Sequence, residues 1–375
     1  MKGFTTRAVC IGQEPDNNTG AIVPPLYLAS TYDQNVPKKI EFFYSRGENP
    51  TRLALERTIA ALEESKHALV FSSGQAAGAA VLSLLKPGDS ILSVSDIYGG
   101  TYNLFKLISE SSDIHVEYTD FEDFSCLDDM TNDGITLVWV ETPTNPLMKV
   151  IDIERVARWA LKRNALFVVD NTFCTAYIQR PLSLGADIVV YSTTKYYSGH
   201  MDVIGGAVCT NNTMIDKKLK SIQTTVGAVP GAVDCYLISR GIKTLGLRLD
   251  RQVANAKAIA RYLQNNSSVL RVLYPGSDDD PYREVASRQM RLSGAMLSFY
   301  YKGDPLKLMK RTRIFSCAVS LGGVRSLIEC PALMTHRPIP ESERIKHGIT
   351  NSLIRLSIGI EDIDDLLEDL QQALQ

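Results

Sequence analysis

The chain of 375 residues is long enough for two or three packed units of roughly 150 residues each, with cores that need no stapling. Its 40 Lys and Arg stand against 42 Asp and Glu, a formal charge of -2, so no overall field recruits nucleic acid or an anionic membrane surface. With 45% apolar and 22% charged residues, the composition is that of an ordinary soluble globular protein and leaves little room for long disordered tracts.

In chain order, the segment from Met1 to about Phe43 is turn-rich (Pro15 to Gly20, then Pro24-Pro25) and has little periodicity with which to close a core. Residues 1–45 therefore read as an arm that packs on something else. Its first fourteen residues lack the apolar core and cleavage site of a signal peptide. Short β-branched runs then alternate with helical patterns. His67–Phe71, Ser90–Val94, Ile114–Tyr118, Ile135–Val140, Ala165–Val169 and Ile188–Tyr191 read as buried strands. Asp152 is an N-cap candidate for a helix with Ile153, Val156, Ala157, Ala160 and Leu161 on one face. This alternation predicts an α/β unit over residues 46–235, a mostly parallel sheet covered by helices. Near Gly231 a long amphipathic segment begins, with Ile242, Leu245, Leu249, Val253, Ala256, Ala260 and Leu263 spaced by three or four. Strands over Met296–Tyr301 and Leu353–Ile358 and helices over Pro305–Arg311 and Asp362–Leu374 then mark residues 236–375 as a smaller α+β domain.

The longest near-apolar stretch, Ala76 to Leu85, is far shorter than the roughly 18 residues a membrane helix needs. The seven cysteines, Cys10, Cys126, Cys174, Cys209, Cys235, Cys317 and Cys330, include no C-x-x-C, and the five histidines form no H-E-x-x-H. An odd, scattered set of thiols reads as reduced and the protein as cytoplasmic, with no metal centre.

In an open α/β sheet, ligands bind beyond the carboxyl ends of the strands, and three such ends are chemically loaded. His67–Phe71 runs into Ser72-Ser73-Gly74-Gln75-Ala76-Ala77 and a helix, a turn with free backbone N–H groups that suits a phosphate, or a tight β-α turn without a ligand. Ala165–Val169 ends at Asp170-Asn171-Thr172, where the acid either caps a turn or awaits a cation. Ile188–Tyr191 ends in Ser192-Thr193-Thr194-Lys195, two candidate anchoring hydroxyls and an amine that taken alone is an ordinary loop lysine. Together, a phosphate cradle, an isolated carboxylate and an amine flanked by hydroxyls match the parts that pyridoxal phosphate requires.

The same residues carry a resemblance. Tyr44-Ser45-Arg46, Asn49-Pro50-Thr51-Arg52, Tyr98-Gly99-Gly100, Glu141 to Pro146, Asp170 to Phe173, Tyr191 to Lys195 and Ser320 to Gly323 fall in order over nearly the whole chain. In this set the sequence resembles the cysteine and methionine metabolism family of pyridoxal phosphate enzymes. The resemblance implies the aspartate aminotransferase type of fold (fold type I) and a carbon–sulfur lyase, nearest to the branch that cleaves cystathionine at its γ-carbon. It implies that Lys195 holds the cofactor and shuttles protons, Asp170 faces the ring nitrogen and Tyr98 stacks on the ring. Gly74, Gln75, Ser192 and Thr194 would bind the phosphate, with Thr172 beside Asp170. Tyr44 and Arg46 would reach the phosphate of a neighbouring subunit, so that two subunits share a site within a homotetramer built as a dimer of dimers. Arg355, assisted by Asn145 and Ser320, would grip the substrate α-carboxylate, although by sequence alone Arg355 is equally a surface strand charge. Tyr98 is likewise open to a reading as a core aromatic at a helix start.

Three substrate positions depart from the cystathionine-cleaving pattern, which carries two acids and a base where this chain has Phe43, Val319 and Asn103. Phe43 and Val319 are closer to the branch that acts on methionine, but that branch has a cysteine where Gly100 stands. The alternatives within the family are therefore γ-replacement on an acylhomoserine and elimination from methionine. A non-catalytic binder conflicts with the intact Lys195, and a nucleotide-binding protein lacks both phosphate-loop fingerprints.

Overall fold

The computed structural model describes residues 2–34, 42–122, 124, 127 and 134–375, so Cys126 lies outside the described residues. Seven strands form the larger sheet: β1 (His67–Phe71), β2 (Ser90–Val94), β3 (His115–Thr119), β4 (Ile135–Glu141), β5 (Leu166–Asp170), β6 (Ile188–Tyr191) and β7 (Gly206–Thr210), in the order β1-β7-β6-β5-β4-β2-β3. From β3 to β6 the pairs are parallel, whereas β7 runs antiparallel to both β6 and β1. The six strands read from sequence are present within a residue at each end. β7 was not among them, because Gly205-Gly206-Ala207 imitates a turn. Its five residues are nevertheless all buried, and a Cβ on Gly206 would lie 2.1 Å from the Ser73 carbonyl oxygen.

Helix Ile153–Lys162 starts as expected, with the Asp152 carboxylate accepting the Arg155 N–H. Its buried face differs in one place. Leu161 is 80% exposed and Trp159 is buried instead, which rotates the apolar stripe toward Ile153, Val156 and Ala160. The arm is not wholly without structure either. Helix Phe4–Cys10 buries Ala8 and Arg7, packs on helix Pro50–Glu63, and sets Phe4 edge-on to Tyr177 at 4.9 Å. Beyond it, Ile22, Val23, Leu26, Tyr27 and Leu28 are exposed.

The long amphipathic segment is two helices, Ala232–Ile242 and Leu245–Gln264. Along the second, Leu245, Leu249 and Val253 belong to the core of the larger sheet, while Ala256, Ile259, Ala260 and Leu263 belong to another core. That core covers a five-stranded sheet of β8 (Val269–Leu273), β9 (Met296–Tyr301), β10 (Ser316–Cys317), β11 (Leu327–Glu329) and β12 (Leu353–Ser357), ordered β10-β11-β12-β9-β8. Helices Pro305–Arg311 and Ile363–Ala373 also match expectation. No helix among the described residues is long and apolar enough to cross a membrane. The six described cysteines are unpaired.

Candidate active site

A cavity of about 270 Å³ opens where β1, β4, β5 and β6 end, roofed by residues of the second sheet. At its phosphate-like end, Ser73 caps helix Gly74–Leu82 by accepting the Ala76 N–H at 3.0 Å. A Cβ on Gly74 would lie 2.9 Å from Ser192 Cβ, so the glycine keeps open the space between the helix start and the β6 terminus. The Ser192 N–H is held by Thr172 Oγ1 at 2.9 Å. The Thr194 hydroxyl donates to the Gly205 carbonyl at 3.1 Å and accepts its N–H at 3.0 Å, so it must turn away from that carbonyl to donate to a ligand. Gln75 lines the same end.

Asp170 closes β5 and is paired in register with Glu141, which closes β4. Burial raises both carboxyls above their usual range, Asp170 against the opposing hydrogen bonds of Thr172, and Glu141 further through the neighbouring Asp170. Among the described residues no base forms an ion pair with Asp170, whose Oδ1 accepts the Thr172 N–H at 3.0 Å. A protonated ring nitrogen is the kind of partner such an acid lacks. Glu141 was not read as a site residue from sequence. The available signal was the one that flagged Asp170, an acid directly after a buried apolar strand. Glu141 Oε2 accepts the Tyr98 N–H at 3.0 Å and so fixes the start of helix Gly99–Ser112.

Tyr98 is 39% exposed and lines the cavity, which excludes the core-filling reading. Burial and then Glu141 hold its phenol above its usual range, against the opposing charge of Arg355. Lys195 Nζ donates to Ser320 Oγ at 2.8 Å, and burial and then Arg355 draw its amine down to about 8. Ser320 is held at φ +92°, a costly conformation for a residue with a Cβ, in the turn that also brings Val319 to the rim.

Arg355, in the middle of β12, is 2% exposed and not a surface charge. Its Nη1 donates to Asn145 Oδ1 at 2.8 Å, and its Nη2 donates to the Ser320 carbonyl at 3.0 Å and lies 2.8 Å from Glu329 Oε1. Five N–H groups leave donors in reserve, and Nε is buried without a partner. Glu329, Thr335 and His336 complete this end and were missed in sequence, because β11 is three residues long and its pairing with β12 is what sets Glu329 against Arg355.

Twelve of the expected site residues thus converge on one cavity, and four do not. Phe43 is 74% exposed, and Asn103 is exposed on helix Gly99–Ser112. Tyr44 and Arg46 stand on a separate cleft of about 380 Å³ beside Gly227 and Pro230, with the guanidinium carbon 5.3 Å from the tyrosine ring centre.

A helix start kept open by Gly74, a carboxyl without an ion pair at one strand end and a depressed amine at the next fit pyridoxal phosphate, and with the seven-stranded sheet they define a pyridoxal phosphate enzyme of the aspartate aminotransferase fold class. Comparison with known proteins agrees. The family model described as Cys/Met metabolism PLP-dependent enzyme matches residues 5–375, and the chain belongs to that family. It is 47% identical to cystathionine gamma-lyase of Dictyostelium discoideum over 98% of this chain and 97% of that one. It is 44% identical to cystathionine beta-lyase of Coxiella burnetii, with the same coverage. A solved structure of cystathionine gamma-lyase from Micromonospora echinospora superposes with a TM-score of 0.97 at 46% identity, covering 100% of this chain and 99% of that one.

Proposed function

We propose that the protein is a carbon–sulfur lyase of the cystathionine γ-lyase type, which eliminates a thiol from a sulfur amino acid and leaves a 2-oxo acid and ammonia. One observation supports this above the rest: the amine of Lys195, lowered to about 8 by burial and then by Arg355 and 2.8 Å from Ser320 Oγ, lines the same cavity as Arg355 and Asp170. Gly74 and Ser192 would hold the phosphate of pyridoxal phosphate and Asp170 would face its ring nitrogen, and the bound group would supply an electron sink for negative charge at the substrate carbons. Arg355 binds the α-carboxylate while Asn145 and the Ser320 carbonyl hold its fork in plane. Because the Lys195 amine is drawn down to about 8, more of it is neutral at a given pH than in an ordinary lysine. Its Nζ would take the α-proton and, once it has given that proton up, a proton of the β-carbon, whose loss lets sulfur leave from the γ-carbon. The Tyr98 hydroxyl, still protonated, donates to the departing sulfur. When sulfur sits on the β-carbon, the first proton removal suffices, so β and γ elimination share the site.

The separation of Tyr44 and Arg46 from the cavity of their own chain supports their service to a neighbouring subunit and, with the exposed apolar arm, a homotetramer with shared sites. In this reading residues 1–45 are the arm, 46–235 the cofactor domain and 236–375 the smaller domain, in a cytoplasmic enzyme. A second reading, elimination from methionine, is favoured by Val319, an apolar side chain 55% exposed at the cavity mouth where an acid would hold the charged distal end of cystathionine. The test is to supply cystathionine, methionine, homocysteine and cysteine separately and score 2-oxobutyrate against pyruvate. No 2-oxo acid from any of them, with condensation once an acylhomoserine and cysteine are present, would establish γ-replacement instead.

A further inference from the structure

Behind Arg355 four groups form a chain, buried except at Thr335, which is half-buried and lines the cavity. Asn145 carbonyl oxygen lies 2.9 Å from His336 Nε2, His336 Nδ1 lies 3.0 Å from Thr335 Oγ1, and Thr335 Oγ1 lies 2.8 Å from Glu329 Oε1. His336 is fully buried and Glu329 is 1% exposed. Three contacts need three protons. A carbonyl only accepts, so His336 Nε2 carries a hydrogen. If the ring is neutral, Nδ1 is bare and takes the single hydroxyl proton of Thr335, and the remaining contact can be made only by a proton on Glu329. The alternative is an imidazolium with an ionised Glu329. That places a cation in a ring shut away from water beside Arg355 and Arg344, and burial with these cations holds the ring down to about 3.

A second observation points the same way. Glu329 Oε2 is buried with no hydrogen-bond partner, a costly state for an ionised oxygen and a tolerable one for the carbonyl of an acid. The groups facing Glu329 are Arg355 on β12, Lys195, Tyr98, Cys330, the next residue in the chain, and, through Thr335, His336. Arg355, the Thr335 hydroxyl where it donates, and Lys195 all favour its ionisation, yet burial outweighs them and its carboxyl stays raised.

We propose that Glu329 is a positioning residue kept as the neutral acid by Thr335 and His336, so that it orients Arg355 without cancelling the charge that recognises the substrate α-carboxylate. The inference rests on the lyase reading for the role of Arg355, but the proton on Glu329 is tested apart from it. In the infrared difference spectrum between wild-type holoenzyme and E329Q, a carboxylic-acid C=O band is lost. Calorimetric titration with L-norvaline, which has the α-carboxylate and no leaving group, gives E329Q an affinity within about threefold of wild type, since amide and acid are both neutral. T335V breaks the chain, lets Glu329 ionise against Arg355 and weakens L-norvaline about tenfold, more at alkaline pH, and E329Q restores the affinity in the double variant.

Loss of carboxylate bands instead of the acid band in E329Q, or a tenfold or greater weakening in E329Q alone, overturns the proposal. If T335V does not fold, the E329Q spectrum decides. If wild-type holoenzyme binds no L-norvaline, the role of Arg355 in the lyase reading fails, while the infrared result still decides where the proton resides.

Discussion

The two ends of the cavity are built by opposite means. At the cofactor end, Gly74, Asp170, Ser192 and Lys195 follow the carboxyl ends of β1, β5 and β6, where parallel strands stop and their side chains meet free backbone and space. At the substrate end, Arg355 in the middle of β12 and Glu329 at the end of β11 are set against each other by antiparallel register. The first design gives its charged groups hydrogen bonds but, among the described residues, no ion pair: Asp170 accepts from Thr172 and Lys195 donates to Ser320. The second surrounds its cation with Asn145, the Ser320 carbonyl and Glu329 before any ligand arrives. Chemistry and recognition are therefore separable, and substitutions should divide accordingly.

The largest effect is expected at the cofactor end. K195A should lower turnover by about 10³-fold or more, because it removes both the attachment point and the proton carrier, and steady-state assays of 2-oxo acid release would show it. Next, R355L should raise KM for the amino acid by roughly 10- to 100-fold with a smaller change in kcat, consistent with loss of a charge-assisted fork. A uniform fall in kcat for both variants would erase the distinction between the two ends.

Smaller effects sharpen it. G74A pushes a methyl group to within 2.9 Å of Ser192 Cβ and should weaken pyridoxal phosphate binding about tenfold, read from cofactor titration, with little change in KM once the site is saturated. In the cofactor-free chain, the rate of pyridoxal phosphate attachment should rise as pH passes through about 8, because only the neutral amine is nucleophilic and burial with Arg355 lowers Lys195 to that value. A profile still climbing at the ordinary lysine range would show that Lys195 is not desolvated. Smallest of all, V319E should improve use of cystathionine relative to methionine several-fold, measured as a ratio of kcat/KM. An unchanged ratio would place the distal site elsewhere.

What could be read from sequence follows the same division. Strand ends announce themselves, since a buried apolar run stops abruptly at a polar residue. Asp170, Lys195 and the Ser73-Gly74 turn were visible for that reason, and Glu141 carries the same mark. Register does not announce itself. Glu329 sits in a three-residue strand, and its meeting with Arg355 depends on two segments pairing across 26 positions. His336 lies in a turn and reaches Asn145 across the fold. β7 was hidden because its small residues fit a crowded position beside Ser73, where nothing larger than glycine is accepted at Gly206. Trp159 replaced Leu161 on its helix because 3.6-residue periodicity fixes a face only to within one neighbouring position.

The account depends above all on the amine of Lys195 being the group that captures the cofactor. Reduction of the pyridoxal phosphate-loaded enzyme with borohydride, followed by peptide mass analysis, reports this directly. The mass of the reduced adduct is expected on the peptide containing Lys195 alone. Label on another lysine, or an unmodified Lys195 peptide from protein saturated with the cofactor, would contradict it.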